Sequence, residues 1–339
     1  MSSGVAPLAK REGAPALMFI ERLKRLNPSL VTAAVEAHQA GELRANTYLI
    51  DTATMTANTR VIREEADRLG LSLYAMAKQF GRNRDGCDAV VEGGIEASVA
   101  VDIQCMEAVA RSHMRIGHVG HLVQPHRGAE DAVIAQRPEV VSVFHQAIAE
   151  RLGAAARRAG IEQAVLLRVV APGDRFYFGH GGGFPLEGIE DAAGKVDAVD
   201  GLRVAGVVSF PALLADAEKR RLATTPNLAT LTEAAERLRR AGFEVEQVNA
   251  PGTTSSGALE LLADAGATHA EPGNGLHGTT PLMVFDDESP EVPAIVYVSE
   301  VSHFDGDDAY VFGAGLYLSL IHISEPTRPA PLSRMPSSA

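Results

Sequence analysis

Lys78 is the first residue that could do chemistry, because it directly follows the short apolar run 73–77 and shortly precedes Gly81. The apolar run predicts a buried strand. A lysine at the tip of such a strand loses hydration unless it is bonded to another group. A desolvated amine of this kind can form a Schiff base with the aldehyde of pyridoxal 5'-phosphate (PLP). For one lysine alone, the alternative that its side chain extends back to water stays open.

Polar or titratable residues also stand at the ends of the later apolar runs. They are Asp102, His118, His121, Arg168, Ser209, Asn249 and Glu271. Arg168 could bind a substrate carboxylate or the cofactor phenolate, and an ion pair at the edge of the core is an equal alternative. The histidines lack the spacing of a metal site. We therefore expect hydrogen-bonded histidines or neighbours of a cofactor ring, and no metal.

A Gly/Thr/Ser turn at residues 251–256 leads into a predicted helix at 256–265. The turn offers hydroxyls, and the helix N-terminus offers free N–H groups and a positive dipole end, which together suit an anion such as a phosphate. The alternative is an ordinary Ser/Thr helix cap. A second glycine-rich segment, at 271–281, is either a further phosphate loop or a surface loop.

A regular alternation of apolar runs and helical segments positions these residues. The runs lie at 73–77, 97–101, 116–122, 140–144, 164–170, 204–210, 245–249 and 268–271. The clearest helical segments, 146–160 and 227–242, each end in a glycine. The alternation predicts parallel strands, and eight of them match a closed α/β fold, the TIM (β/α)8 barrel, whose reactive groups lie at the carboxyl ends of the strands. An open doubly wound sheet is the alternative, although no GxGxxG motif follows the first strand.

Three segments carry a resemblance to a known family: residues 48–51, a following helix that contains Asn58, and the sequence Tyr-Ala-Met-Ala-Lys that ends at Lys78. Together they resemble the N-terminal barrel of the alanine racemase family, the fold-type III PLP enzymes. The resemblance covers residues 46–281 and is closest to the YhfX-like branch of the family. It implies that Lys78 carries PLP, and that Ser209 lies beside the cofactor.

The resemblance also implies where the cofactor phosphate is bound. The segment 248–256 resembles the one that supplies a hydroxyl to the phosphate, and its candidates are Thr254, Ser255 and Ser256. The segment 271–281 resembles the one whose backbone N–H groups hold the phosphate, and the candidates there are Gly275 and Leu276. Two such loops after the last two strands of a barrel agree with the usual place of phosphate sites in this fold.

Glu271 is the point at which the chain departs from alanine racemase, which has an arginine facing the pyridine nitrogen of the cofactor. An arginine cannot accept a proton, so it keeps that nitrogen unprotonated. A glutamate would accept a hydrogen bond from a protonated pyridinium and stabilise its charge. The ring would then be a stronger electron sink, and the substrate of alanine racemase cannot simply be transferred to this chain.

Composition excludes several classes of partner. The 339 residues carry a formal net charge of −12, which argues against binding to nucleic acid or to an anionic membrane surface. Cys87 and Cys105 form no CxxC pair, so we expect a reduced, cytoplasmic protein. Apolar runs fall short of the roughly 20 residues of a membrane span, and residues 1–15 lack the apolar core of a secretion signal.

The sequence predicts four regions: an N-terminal helical extension at 1–45, with a helix at 17–40 that Pro28 interrupts; a PLP-binding barrel at 46–285; the beginning of a C-terminal β-domain at 290–318, with strands at 295–298 and 309–312; and a tail at 319–339. The tail resembles a translated sequencing adapter, and we expect it to be disordered. Family members complete their active site with the β-domain of a second subunit. The resemblance therefore implies a homodimer for a longer chain and impaired activity for this one.

The resemblance implies a PLP enzyme that acts at Cα of an amino acid, with racemase or epimerase as the leading hypothesis and Lys78 as the acid/base on one face of Cα. No residue matches the tyrosine that serves the other face in the family. One alternative is a D-amino-acid aldolase or dehydratase of the same fold type. Another is a non-catalytic PLP-binding homeostasis protein, although the predicted β-domain argues against it.

Overall fold

The computed structural model of the protein describes residues 18–312, in which helices and strands alternate. The helices are α1 Met18–Leu26, α2 Pro28–Gln39, α3 Thr52–Leu69, α4 Arg84–Glu92, α5 Ile103–Val109, α6 Glu130–Ala135, α7 Gln146–Arg158, α8 Ile189–Asp197, α9 Pro226–Arg240, α10 Ser256–Asp264 and α11 Leu282–Phe285. A short 3-10 helix spans Ala77–Phe80.

The strands fall into one large parallel sheet and several small antiparallel ones. In chain order they are β1 Thr47–Ile50, β2 Ser72–Leu73, β3 Ala97–Ala100, β4 Arg115–Val119, β5 Val140–Val143, β6 Gln163–Val170, β7 Phe184–Pro185, β8 Leu202–Val208, β9 Leu213–Asp216, β10 Arg221–Thr224, β11 Gln247–Asn249, β12 His269–Ala270, β13 Ile295–Val298, β14 Val301–Asp305 and β15 Asp308–Val311.

Eight parallel strands form the barrel, in the order β2-β12-β11-β8-β6-β5-β4-β3. A parallel bridge between Ala75 and Ser98 closes the ring between β2 and β3. The Ala75 N–H donates to Ala97 O at 2.8 Å, and the Val99 N–H donates to Ala75 O at 3.0 Å. Each of the eight predicted apolar runs contains a barrel strand or its bridge. The predicted (β/α)8 barrel is therefore confirmed, and the open sheet is excluded.

The barrel strands are apolar because both of their faces are covered. All residues of β5 are buried, as are those of β6 up to Val169, which is the pattern of parallel strands with side chains inside and helices outside. Helices α7 and α9 follow the predicted segments closely. Each is followed by a glycine with positive φ, 67° at Gly160 and 93° at Gly242, which lets the chain leave the helix without steric strain.

Pro28 interrupts the predicted N-terminal helix, which becomes α1 and α2. Asn27 caps α2, since its side chain accepts a hydrogen bond from the Leu30 N–H. Arg22 on α1 is buried and donates to the carbonyl oxygens of Met283, Asp286 and Ser289, so α1 is held against the segment that follows the barrel.

Strands outside the barrel join distant parts of the chain. β1, which stands at the start of the predicted barrel region, pairs antiparallel with β13. β14 and β15 form an exposed hairpin, of which the sequence predicted only the second strand.

The predicted domain boundaries remain a prediction. Residues 313–318 of the predicted β-domain and the predicted tail 319–339 lie outside the described residues.

No helix between residues 18 and 312 is long and apolar enough to cross a membrane.

Candidate active site

A cleft of about 460 Å³, which includes its open mouth, lies where several barrel strands end. Its walls come from the segments that follow β2, β4, β8, β11 and β12. The lining residues are Met76, Lys78, Gln79, His121, Leu122, Phe210, Pro251, Gly252, Thr253, Thr254, Glu271, Gly273, Asn274 and Thr280. Its position at the carboxyl ends of the strands is that of a small-molecule site in this fold.

Lys78 lies in this cleft. The sequence predicted that it would stand at the tip of a strand, and that placement is wrong. The strand pairing ends at Ala75, and Lys78 belongs to the 3-10 helix, which ends at Gly81 with a positive φ of 69°. The local turn therefore places the amine one step beyond the strand. Burial lowers the pKa of Lys78 from 10.5 to about 8, with Arg82 adding to the effect and Asp102 and Glu271 opposing it. The unprotonated fraction of the amine near neutral pH is therefore larger than for an ordinary lysine, which favours a nucleophilic role.

Glu271 is completely buried at the base of the cleft and accepts two hydrogen bonds on one oxygen. Its Oε1 lies 2.6 Å from His118 Nδ1 and accepts from Asn249 Nδ2 at 2.9 Å. Its Oε2 has no hydrogen-bond partner within residues 18–312. Burial raises the pKa of Glu271, but His121, His118 and Asn249 outweigh burial and hold the pKa below its ordinary value. The side chain is therefore a carboxylate with one open acceptor atom.

His121 faces that open oxygen, with its Nδ1 at 3.3 Å from Glu271 Oε2. Burial lowers the pKa of His121 from 6.5 to about 3, while the nearby Glu271 carboxylate opposes this shift. The ligand-type nitrogen and oxygen atoms of His118, His121 and Glu271 lie within 4.8 Å of one another, close enough to hold a metal ion. The spacing of these residues in the sequence did not reveal this group. Because hydrogen bonds already engage both His118 nitrogens and Oε1, we interpret the group as a hydrogen-bonded cluster beside a ligand ring.

Arg168 is fully buried and donates to backbone carbonyl oxygens. Its Nη2 donates to His180 O at 2.8 Å, with a longer contact from Nη1 to His121 O. The guanidinium stacks on the Phe144 ring at 4.9 Å, and burial lowers its pKa to about 10. The core-edge ion pair considered from sequence does not form within the described residues. A buried cation held by carbonyls alone is suited to an anionic group of a ligand.

The two predicted phosphate loops converge on the cleft. Gly275 packs so tightly on the first loop that a Cβ there would lie 2.6 Å from Thr254 O. Thr254 lines the cleft, and Ser255 Oγ is buried with no hydrogen-bond partner in the described chain. Both residues remain candidates for binding a phosphate.

Two other phosphate candidates are engaged elsewhere. The Ser256 N–H donates to Glu291 Oε1 at 2.7 Å, and the residue lines a different cleft, beside Leu282 and Pro290. The Leu276 N–H donates to Gly273 O at 3.1 Å, and its side chain is in the core. The residues of the second loop that line the cleft are instead Gly273, Asn274 and Thr280, which the sequence reasoning did not select. The glycine at 273 was the available signal.

The remaining strand-end residues divide into two groups. Asp102 caps α5, since its carboxylate accepts from the Cys105 N–H at 2.6 Å, so its role is structural. Ser209 is fully buried, and its hydroxyl has no hydrogen-bond partner between residues 18 and 312. It immediately precedes Phe210, whose side chain lines the cleft and contacts the His121 ring at 5.1 Å.

Comparisons with known proteins agree with this geometry. The uncharacterized protein YhfX of Escherichia coli (strain K12) is 39% identical over 301 residues, which cover 88% of this chain and 77% of that protein. D-threonine aldolase from Filomicrobium marinum has a similar fold, with a TM-score of 0.53 and 17% identity over 75% of this chain and 70% of that chain. Alanine racemase from Streptomyces coelicolor A3(2) has a TM-score of 0.55 and 23% identity over 74% of this chain and 65% of that chain.

Residues 50–281 match the family described as the alanine racemase N-terminal domain. This span contains all the barrel strands and every cleft-lining residue. The resemblance inferred from Lys78 and the two glycine-rich loops is therefore confirmed. Because the match covers most of the chain and extends to a relative of high identity, the protein belongs to the alanine racemase N-terminal domain family.

Proposed function

We propose that the protein is a PLP-dependent enzyme that acts at Cα of an amino acid, as a racemase or epimerase. The observation that carries the proposal is the placement of Lys78 and Glu271 in one cleft. The same cleft is lined by the two predicted phosphate loops, through Thr254 of the first and Gly273 of the second. These groups match the three ends of PLP: an aldehyde, a pyridine nitrogen and a phosphate.

The buried polar atoms around the cleft fit this cofactor. Glu271 Oε2, Ser255 Oγ, Thr280 Oγ1 and Ser209 Oγ are buried without a hydrogen-bond partner in the part of the chain that the structure describes. Buried polar atoms are normally satisfied, so their concentration here is the pattern expected of a ligand site. Lys78 would hold the aldehyde carbon, Thr254, Ser255 and Thr280 would lie near the phosphate, and Glu271 would face the ring nitrogen.

When bound, PLP supplies an electron sink for the electron pair that remains when a bond at Cα is broken. The residues of the chain supply the rest. The Lys78 amine, with its lowered pKa, would take a proton from one face of Cα or deliver one to that face. Inversion also needs an acid/base on the opposite face, to which no residue of the described chain is matched. Glu271 would accept a hydrogen bond from a protonated ring nitrogen through Oε2. Arg168 is fully buried close to the cleft, where its guanidinium can orient an anionic group such as the substrate carboxylate.

A D-amino-acid aldolase or dehydratase is the second candidate function. The similar fold of a D-threonine aldolase favours it, and the proposed Glu271–pyridinium contact would also support cleavage of a bond other than Cα–H. A non-catalytic PLP-binding homeostasis protein is the third. A cytoplasmic location and a homodimer remain predictions from the sequence.

The central test is labelling of the lysine. The purified protein is mixed with PLP, reduced with borohydride and digested, and the peptides are mapped by mass spectrometry. We expect the pyridoxyl group on Lys78 and its loss in Lys78→Ala. The exposed Lys195, which pairs with Asp191, is the matched control lysine for non-specific labelling. Modification at another lysine, or none in a folded sample, would contradict the proposal.

A second experiment separates the candidate functions. D- and L-amino acids are incubated with the loaded protein in D2O, and the Cα proton is followed by NMR. Exchange with inversion and no new product indicates a racemase or epimerase. Release of an aldehyde or a keto acid indicates an aldolase or a dehydratase, respectively. Lys78 labelling without any exchange or product agrees with a PLP-binding protein without catalysis, and equally with the impaired activity that the family resemblance implies for this chain.

A further inference from the structure

The hydrogen bonds of Glu271 continue through His118 to Ser142, a residue that the proposed function does not use. His118 Nδ1 lies 2.6 Å from Glu271 Oε1, and His118 Nε2 lies 2.6 Å from Ser142 Oγ. All three residues are fully buried. They come from three barrel strands or their ends, β4, β5 and β12, so the chain of contacts crosses the interior of the barrel.

The direction of the hydrogen bonds follows from the charge of Glu271. An ionised carboxylate can only accept, so the His118 nitrogen that faces it must carry the proton. In the neutral imidazole the other nitrogen is then an acceptor and needs a donor. Ser142 Oγ–H is the group in place to donate to His118 Nε2. Asn249 Nδ2 also donates to Oε1, so both donors converge on the same oxygen and leave Oε2 open.

We propose that Ser142 and His118 are positioning residues that keep Glu271 an acceptor toward the cofactor ring. Ser142 donates to Nε2 and holds the His118 ring in the orientation in which its Nδ1–H donates to Glu271 Oε1. The open Oε2 would then accept a hydrogen bond from the protonated pyridine nitrogen. The inference deepens the proposed function and rests on it, because it assumes that PLP occupies the cleft.

The physical reason is a competition between two arrangements of one proton. If His118 carried its proton on Nε2, the lone pair of Nδ1 would face the Glu271 oxygen at 2.6 Å. This contact would be repulsive unless the carboxyl group took up a proton and donated it to Nδ1. Glu271 would then be neutral, and its ability to stabilise a pyridinium would fall. The Ser142 hydroxyl can donate or accept, so the ionised carboxylate decides the tautomer; Ser142 then satisfies the buried lone pair of Nε2 and fixes the ring in this orientation.

The experiment measures the ring nitrogen directly. Full-length protein is loaded with PLP labelled with 15N in the ring, and the 15N chemical shift separates protonated from unprotonated nitrogen at one fixed pH. We expect a protonated nitrogen in the wild type and an unprotonated one in Glu271→Gln. Ser142→Ala and His118→Phe should reduce the protonated fraction to less than half. Ser142→Thr, which restores the hydroxyl, should return the wild-type signal.

A matched control is available in His269, a half-buried histidine that stacks on Tyr74 and is hydrogen-bonded to its neighbour Thr268. Because His269 makes no hydrogen bond to Glu271 among those described, His269→Gln should leave the ring-nitrogen signal unchanged. A second readout needs no cofactor. In the full chain labelled with 15N-histidine, His118 should carry its proton on Nδ1 before PLP is added.

The outcomes separate this inference from the proposed function. Borohydride labelling of Lys78 is measured on every variant. If Lys78 is labelled throughout but Ser142→Ala and His118→Phe keep the wild-type nitrogen signal, the inference is overturned while the proposed function stands. A His118 proton on Nε2 also overturns it. If Lys78 is never labelled, the proposed function fails, and the inference fails with it. If His118→Phe does not fold, the comparison of Ser142→Ala with Ser142→Thr tests the inference alone.

Discussion

Burial decides what single residues can do in the cleft. Lys78 and Glu271 both lose hydration, but their neighbours differ. For Lys78, burial dominates and lowers the pKa; Arg82 adds to this effect, and Cys105, Asp102 and Glu271 oppose it without cancelling it. Glu271 has His118 and Asn249, whose donors favour the ionised carboxylate. The same cleft thus lowers the pKa of both an amine and a carboxyl group, and perturbed pKa values of this kind are typical of sites with acid–base chemistry.

The lowered pKa of Lys78 predicts the pH dependence of its reactivity. Only the unprotonated amine is a nucleophile. The rate of Lys78 acylation in the full chain without PLP should therefore rise with pH and reach half of its maximum at a pH of about 8. The rate is measured for each peptide by mass spectrometry after brief exposure to acetic anhydride, with the exposed Lys195 as the reference lysine. A midpoint near the ordinary value of 10.5 would show that burial does not affect the amine.

At the scale of elements, α3 positions the second cleft loop through one side chain. Asn58 is buried and donates to Leu276 O at 3.2 Å and to Val292 O at 2.7 Å, and it accepts from the Val292 N–H at 2.8 Å. The helix is thereby tied both to the loop that carries Gly273 and Asn274 and to the segment before β13. The resemblance of the Asn58 helix to the family thus corresponds to a structural contact.

Asn58→Ala should lower the free energy of unfolding by about 1–3 kcal/mol, because it leaves buried carbonyl and N–H groups without partners. It should also weaken PLP binding, since the loop loses its support. Urea denaturation and PLP titration measure the two effects. The control is Thr32→Ala on α2, whose exposed hydroxyl bonds only within its helix, with an expected change within about 0.5 kcal/mol. Equal stability of both variants would contradict the role of Asn58.

At the scale of the whole molecule, the described chain is a closed barrel with three two-stranded sheets beside it. Every barrel strand has two neighbours, whereas the β14–β15 hairpin has one pairing and an exposed surface that includes Phe304 at 69% exposure. An isolated two-stranded hairpin is only marginally stable in water. The stability of the backbone hydrogen bonds should therefore differ strongly between these parts.

Hydrogen exchange measured by mass spectrometry tests this difference. Peptides from β14 and β15 should exchange within seconds, whereas peptides from β5 and β6 should stay protected for hours, because they open only with the barrel. Peptides from β1 and β13, which pair with each other beside the barrel, should fall between the two. Equal protection of the hairpin and the barrel would show that another surface covers the hairpin in solution.

Much of the fold could be predicted from local patterns. The apolar runs, the glycine-closed helices and the proline break are properties of short segments, and the structure contains each of them. The predictions that failed locally have local causes. Lys78 lies in a 3-10 helix because Gly81 allows the chain to turn there, and β14 was missed because its residues alternate weakly and are all exposed.

The sequence by itself determined the barrel and the family, because the apolar runs and the motif around Lys78 are encoded in neighbouring residues; the role of Lys78 as the cofactor lysine stays a prediction. Only the tertiary structure decided which residues meet. Ser142, His118 and Glu271 are far apart in the chain, and they come into contact only because the barrel closes and strand ends converge on its axis. The tertiary structure likewise placed Gly273 in the cleft and Leu276 in the core, because the path of a loop depends on the surfaces against which it packs.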